Sequence, residues 1–191
     1  MAYELTGFDG KVAVVTGAGR MRSIGRPIAL ALARAGCDVV LTGSGKPASA
    51  YPADEQQAGW RDIDSVADEV RALGRRALPL VSDVRDPQAV ETLAARVMAE
   101  CGRVDILVNN AGSTRGSDRV PATQLPLAEW QRVLGTNLDG SFYMSRCFAQ
   151  HLVAQGRGGV ILNVSSIAGR NRMPNTAAYA TSKAAIDALS T

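Results

Sequence analysis

Histidine, cysteine and aromatic residues are scarce in this chain of 191 residues, which has one histidine, three cysteines and 5% aromatic side chains. A hydrolase triad needs a histidine base, and the single histidine, His151, lies in the amphipathic stretch FAQHLVAQ. Cys37, Cys101 and Cys147 are far apart in the sequence and predict buried, reduced thiols. With so few cysteine and histidine ligands, we expect no metal site.

Long apolar runs and a cationic leader are also lacking. No apolar run reaches the roughly 18 residues that a membrane span requires, and the start, MAYELTGFDGKVAVVTG, has no positive charge before an apolar core. These absences predict a cytoplasmic protein that binds no membrane. The net charge is +3, but basic residues are mixed with acidic ones and few rings are available for base stacking. We therefore expect no nucleic-acid partner.

Short valine-rich runs alternate with amphipathic helical patterns along the chain. The run KVAVVT ends at Gly17, a helix with Ser23 as its N-cap follows, and DVVLT closes a strand-helix-strand unit. Further strands are predicted in RALPLV, VDILVNN and GGVILNVSS, and residues 127–155 form a long helical region. The alternation predicts an α/β fold, a Rossmann-like doubly wound parallel sheet with helices on both faces. Ligands of such sheets bind beyond the carboxyl ends of the strands.

Three features depart from this alternation. Residues 44–60, SGKPASAYPADEQQAGW, predict a surface loop without regular structure because they are rich in proline, glycine and alanine. Residues 113–124 directly follow a predicted strand and therefore lie on the ligand side of the sheet. The last helix ends at Thr191 with an unfinished apolar pattern. We interpret residues 1–191 as a single dinucleotide-binding and catalytic domain, truncated in the helix after the fifth strand.

A glycine-rich turn follows the first predicted strand, with Gly17 and Gly19 next to the strand and Gly25 at the start of the helix. Glycine lets the backbone approach a pyrophosphate, and the free N–H groups of the helix favour the anion. The same glycines would also suit any tight strand-to-helix turn.

The nature of the bound nucleotide depends on the end of the second strand. It reads LTGSGK and lacks the acidic residue that would bind a ribose 2′-hydroxyl. Arg20 and Arg22 in the glycine-rich turn can instead supply positive charge to a 2′-phosphate, unless both are simply solvated loop residues. This combination predicts NADP(H) in preference to NAD(H).

Tyr179 and Lys183 stand four residues apart in an alanine-rich helical stretch, on one helix face. An ammonium beside a phenol favours the phenolate and lowers the phenol pKa, although the pair also suits a packed aromatic beside a surface lysine. Ser166, thirteen residues before the tyrosine, is placed at the end of the fifth strand, where its hydroxyl could bind a substrate carbonyl. Asn137 by itself would be an ordinary helix residue.

These segments occur together in a familiar order. TGAG and IG in the turn, DV at Asp83, NNAG at Asn109, Asn137, NVSS ending at Ser166, and YATSK from Tyr179 have the order and spacing of the classical short-chain dehydrogenase/reductase family. The sequence resembles this family, including its 3-oxoacyl-carrier-protein reductase-like members. Its turn departs from the family pattern, because it contains two extra residues and Ser23 replaces the middle glycine.

The resemblance implies an NAD(P)-dependent oxidoreductase that transfers a hydride between a nicotinamide and a carbonyl or secondary alcohol, possibly a 3-oxoacyl thioester. It implies that Tyr179 is the general acid/base, that Lys183 lowers its pKa and holds the nicotinamide ribose, that Ser166 orients the substrate oxygen and that Asn137 anchors a relay water. The implied cofactor contacts are made by Gly17, Gly19, Arg20, Arg22, Ser23, Ile24, Gly25, Ser44, Asp83, Val84, Asn110, Ala111, Gly112, Tyr179 and Lys183.

A dinucleotide-binding module that senses cofactor or holds a partner without catalysis is the alternative function. A sensor would not need the serine, tyrosine, lysine and asparagine set, which favours the enzyme. The resemblance further implies a homodimer or homotetramer formed through the helices that contain Asn137 and Tyr179. Because family members typically continue beyond this point, we expect a polypeptide ending at Thr191 to be poorly active.

Overall fold

The computed structural model describes residues 6–113, 116–171 and 173–190. The predicted start of the domain at residues 1–5, two residues of the ligand-side loop at 114–115, and residues 172 and 191 lie outside the described residues. The five strands are β1 (Val12–Thr16), β2 (Asp38–Gly43), β3 (Ala77–Val81), β4 (Ile106–Asn109) and β5 (Val160–Asn163). The α-helices are α1 (Gly25–Arg34), α2 (Ala53–Gln57), α3 (Ile63–Ala72), α4 (Pro87–Cys101), α5 (Leu127–Leu134), α6 (Gly140–Gln155) and α7 (Ala177–Leu189).

The strands form one parallel sheet in the order β3-β2-β1-β4-β5, which confirms the predicted Rossmann-like architecture. The central strand β1 is buried along its whole length, and Val15 is opposite Leu41 on one side and Val108 on the other. The order reverses at β1 and β4, so their carboxyl ends open the crevice in which doubly wound sheets bind ligands.

Two apolar clusters cover the two faces of the sheet, because successive strand side chains point in opposite directions. On one face, Ala13 and Val15 of β1 pack with α1 and α3. On the other face, Val12 and Val14 pack with α4 and α6, where Phe148 is fully buried. Within the described residues, no helix combines the length and apolarity needed to cross a membrane.

The prediction that residues 44–60 lack regular structure is wrong. They contain a 3₁₀ turn at Ala48–Ala50 and the helix α2, whose Glu55 is buried. Pro52 precedes this helix as its N-cap, and two acids occupy the first turn of the helix, where the helix dipole favours negative charge. The buried Glu55 shows that this segment packs against the domain.

Two boundaries also differ from the prediction. The N-cap of α1 is Ile24 instead of Ser23, although the Ser23 hydroxyl still accepts a hydrogen bond from the Arg26 N–H at 3.4 Å. The fifth strand ends at Asn163, three residues before Ser166. The long helical region at residues 127–155 is present, but a π-helical turn at Gly135–Asp139 joins α5 to α6. Asn137 lies in this turn, and such irregular turns frequently occur at functional sites.

Candidate active site

A cleft of about 550 Å³ opens at the carboxyl ends of the parallel strands. The predicted site residues that line it come from the glycine-rich turn, the ends of β2, β3 and β4, and helix α7. They are Gly17, Gly19, Arg20, Arg22, Ser23, Ile24, Ser44, Asp83, Val84, Asn110, Ala111, Gly112, Tyr179 and Lys183. The fold thus brings most of the predicted residues to one place, while Gly25, Asn137 and Ser166 lie outside the lining.

The glycine-rich turn is held against the end of β4. Gly17 has a φ of +63°, and a Cβ added there would lie 2.7 Å from Ala111 Cα. The Asn110 side-chain amide donates to the carbonyl oxygens of Thr16 at 2.8 Å and Gly17 at 3.0 Å. A Cβ at Gly25 would approach this amide to 2.6 Å, so Gly25 allows the turn and β4 to pack closely without itself lining the cleft.

The segment at residues 44–60 docks on the other side of the same turn. Glu55 Oε1 accepts hydrogen bonds from the Met21 N–H at 2.9 Å and from Arg20 Nε at 3.2 Å. The Trp60 indole N–H donates to the Gly19 carbonyl at 2.6 Å. The unusual middle residues of the turn are therefore fixed by this segment, which the sequence predicted to be a surface loop.

Arg20 and Arg22 line the cleft, but both are paired with acids of α2. The Arg20 guanidinium lies 3.1 Å from Glu55, whose side chain is 4% exposed. Arg22 lies 3.1 Å from Asp54 in a pair that is largely exposed. Neither arginine is the uncompensated cation on which the prediction of NADP(H) depended.

Asp62 is a cleft residue that sequence analysis missed. It lines the cleft beside Gly19 and Gly43, at the end of the strand where no acid was found in the sequence. Burial raises the pKa of its carboxyl group, an effect that the charge of Arg20 opposes. No local signal in the sequence could identify Asp62, because it lies nineteen residues after Gly43. It also directly precedes α3, a position where an acidic residue is interpreted as a helix cap.

Asp83 and Val84 lie after β3 at the predicted adenine side of the cleft. Hydrogen bonds from the Arg85 side chain hold the pKa of Asp83 below its usual value, and Arg85 Nη2 is 2.6 Å from Asp83 Oδ2. Val84 is buried. The Asp83 carboxylate is therefore oriented by Arg85, two residues further along the chain.

Tyr179 and Lys183 project from the first half of α7 into the cleft. Lys183 Nζ lies 5.9 Å from the centre of the tyrosine ring and donates to the Val164 carbonyl at 2.6 Å. Burial lowers the pKa of this ammonium. The guanidinium of Arg119, which was not predicted as a site residue, lies over the same ring, 4.3 Å from the centre of Tyr179. The tyrosine ring thus has two cations within 6 Å of its centre.

Asn137 is buried behind the cleft and connects three elements. Its Oδ1 accepts from the Ser113 N–H at 2.7 Å, and its Nδ2 donates to the Ser182 hydroxyl at 2.9 Å. It therefore joins the π-helical turn to the segment after β4 and to α7. This geometry fixes the helix that carries Tyr179.

Ser166 lies apart from the tyrosine and lysine. It caps the 3₁₀ turn Ile167–Gly169, where its hydroxyl accepts from the Ala168 N–H at 3.2 Å. The side chain lines a second, smaller cavity that also contains Arg170 and Asp187. In this arrangement the serine is not part of the cleft lining, and its role toward a substrate stays a prediction.

The chain belongs to the short chain dehydrogenase family, whose model matches residues 11–191. It is 36% identical to the 2-dehydro-3-deoxy-D-gluconate 5-dehydrogenase of Escherichia coli (strain K12), over 97% of this chain and 65% of that protein. The resemblance to the family is therefore confirmed.

Solved structures match the fold closely. An NAD⁺-bound xylitol dehydrogenase has a TM-score of 0.82 and 34% identity, covering 95% of this chain and 63% of that one. A metagenomic short-chain oxidoreductase in complex with NADP has a TM-score of 0.79 and 34% identity, covering 95% and 74%. The chain thus spans 65% and 63% of the first two proteins. The finer resemblance to 3-oxoacyl-carrier-protein reductases is not shown by these relatives, which are other dehydrogenases.

Proposed function

We propose that this chain forms the nicotinamide-binding and catalytic part of an oxidoreductase that acts on a carbonyl or secondary alcohol. The observation that carries the proposal is the shared cleft: Tyr179 and Lys183 line it together with the glycine-rich turn. A proton-transfer pair and a phosphate-binding turn at one end of a parallel sheet are what such a reaction requires.

The residues fit a dinucleotide. Gly17 and Gly19 line the cleft without side chains of their own, so a pyrophosphate could approach the backbone of the turn. Asp83, Val84 and Asn110 would line the adenosine side, and Tyr179 and Lys183 the nicotinamide side. When bound, the nicotinamide supplies the hydride donor or acceptor.

The chain's own residues supply orientation and the proton. We assign to the Tyr179 hydroxyl the transfer of a proton to or from the substrate oxygen. The Lys183 ammonium is held by the Val164 carbonyl and lies 5.9 Å from the centre of the Tyr179 ring. Asn137 fixes α7 relative to the segment after β4, and Ser166 remains our candidate for orienting the substrate oxygen.

The finer parts of the proposal are the substrate and the assembly. The sequence resemblance favours a 3-oxoacyl thioester, and the relatives extend the test panel to keto sugar acids and polyols. Phe142 and Val153 of α6 are exposed apolar side chains eleven residues apart on one helix face. They support a homodimer or homotetramer formed through the long helices. Light scattering would contradict this assembly if the protein stayed monomeric at micromolar concentration.

Tyr179→Phe tests the reaction, with Tyr143→Phe as the matched control because Tyr143 lies outside the cleft lining. We expect Tyr179→Phe to keep nicotinamide binding and to lose about 10²–10⁴-fold in turnover on a carbonyl panel. Tyr143→Phe should change neither quantity. Equal turnover by Tyr179→Phe and the unsubstituted chain would reject the catalytic assignment and favour the sensor alternative.

A further inference from the structure

Asp62 occupies an uncommon backbone conformation between Trp60 and α3. Its φ is +52° and its ψ is −128°, a left-handed region that residues with a side chain rarely adopt. Such conformations persist where the surrounding structure imposes them, and they are concentrated at functional sites. The conformation raises the question of what the Asp62 side chain does.

The Asp62 carboxylate lies against the two backbone segments that hold the adenosine half of a dinucleotide. A Cβ added at Gly19 in the turn would be 1.7 Å from Asp62 Oδ1, and one added at Gly43 at the end of β2 would be 2.9 Å from Oδ2. Glycine at both positions therefore makes room for this carboxylate. It lies between the phosphate-binding turn and the strand end beside which the adenosine ribose of a dinucleotide is bound.

The segment at residues 44–60 keeps Asp62 in place. The Trp60 indole is anchored on the Gly19 carbonyl, and Glu55 of α2 is anchored on the Met21 N–H. Asp62 follows these two attachments directly in the sequence. The end of β2 has no acidic residue of its own, and the segment places the Asp62 carboxylate there instead. Burial raises the pKa of the carboxyl group, so a hydroxyl donor would offset part of the lost hydration.

We propose that Asp62 selects NAD(H) over NADP(H), by accepting hydrogen bonds from the 2′-hydroxyl of the adenosine ribose and by repelling a 2′-phosphate. This inference rests on the proposed function, because it concerns the same cleft. It reverses the preference predicted from Arg20 and Arg22, whose guanidinium groups are held by Glu55 and Asp54.

Two further cations line this end of the cleft. Arg85 is engaged by Asp83 at 2.6 Å, and its charge is thereby compensated. Lys46 also lines the cleft and is the cation that would favour a 2′-phosphate if Asp62 did not determine the choice. Lys46 would favour NADPH and Asp62 would favour NADH, so the measured affinities for these two nucleotides decide which side chain determines the choice.

The first experiment uses the unsubstituted chain and three nucleotides, followed by titration calorimetry and nucleotide fluorescence. NADH should bind at least tenfold more tightly than NADPH. The analogue of NADH that lacks the adenosine 2′-hydroxyl should bind about tenfold more weakly than NADH, as expected for a lost hydrogen bond to a charged group. Equal affinities for NADH and the deoxy analogue would overturn the proposal, as would tighter binding of NADPH.

The second experiment compares Asp62→Asn with Asp64→Asn. Asparagine tolerates positive φ well, and Asp64 provides the same charge change two residues away, outside the cleft lining. Asp62→Asn should weaken NADH about tenfold, strengthen NADPH and bind the deoxy analogue like NADH, whereas Asp64→Asn should keep the preference of the unsubstituted chain. Thermal unfolding checks that both variants fold, and if Asp62→Asn does not, the deoxy analogue on the unsubstituted chain decides.

The outcomes separate this inference from the proposed function. If both nucleotides bind and Asp62→Asn leaves their affinity ratio unchanged, Asp62 is not the selecting residue while the nicotinamide site stands. If neither nucleotide binds the unsubstituted chain, the proposed function fails and this inference fails with it.

Discussion

Replacement of Gly17 by alanine tests whether the glycine-rich turn is a tight cradle. Gly17 has a φ of +63°, and an added Cβ would lie 2.7 Å from Ala111 Cα and 3.1 Å from Ala111 N. An alanine in left-handed backbone costs about 1–2 kcal/mol, and forcing a methyl group against packed backbone costs about 1–3 kcal/mol more. Backbone cannot move aside as the end of a flexible side chain can. We therefore expect Gly17→Ala to lower the free energy of unfolding by about 2–5 kcal/mol.

Gly102→Ala is the matched control. Gly102 ends α4 with a φ of +70°, but an added Cβ would meet nothing within 4 Å. Gly102→Ala should therefore lower the free energy of unfolding only by the cost of alanine in left-handed backbone, about 1–2 kcal/mol. Urea unfolding of both variants measures the difference, provided that the slope with denaturant is unchanged. If the two variants were destabilised equally, the close approach of the turn to β4 would be refuted. Gly17→Ala should also weaken NADH binding, whereas Gly102→Ala should not.

Three further predictions concern burial. Lys183 should make stability depend on pH, because burial lowers its pKa in the folded state. Between that pKa and 10.5 the unfolded state binds more protons, so the free energy of unfolding should rise with pH across this window. Urea unfolding of the unsubstituted chain and of Lys183→Met from pH 7 to 10 would measure the difference. Phe148→Ala should lose about 3–5 kcal/mol of stability, because this ring of α6 is fully buried in the cluster that α6 forms with α4 and the sheet. A loss below about 1 kcal/mol in urea unfolding would contradict this packing. Burial raises the pKa of the Cys37, Cys101 and Cys147 thiols, so all three should react with a disulfide reagent more slowly than a free thiol at pH 8, and Cys37 should require unfolding.

The sheet could be predicted from the sequence because its signals are local. Runs such as KVAVVT and VDILVNN are buried on both faces, and glycine or helical periodicity marks where they end. The positions of Tyr179 and Lys183 on one helix face followed from their spacing in the same way. Sites built from strand ends and helix faces can therefore be predicted before the fold is known.

Other parts depend on long-range contacts that spacing does not encode. The sequence pattern placed Ser166 at a strand end, but β5 stops at Asn163 because the following residues turn into the 3₁₀ segment that Ser166 caps. The π-helical turn that buries Asn137 has no sequence signature in a continuous helical pattern. Such features arise from packing between elements distant in the chain.

The unusual turn and the segment at residues 44–60 are held together by direct contacts. The middle of the turn brings in the Met21 N–H group and the guanidinium groups of Arg20 and Arg22, all of which need partners. Glu55 accepts from Met21 and Arg20, and Asp54 pairs with Arg22, so the acids of α2 complete the turn. The same docking delivers Asp62 to Gly19 and Gly43. The turn is rich in arginine, but in the folded chain its two arginines are paired with acids and the Asp62 carboxylate lies beside it. In our proposal, the choice of cofactor therefore depends on the contact between the turn and residues 44–60.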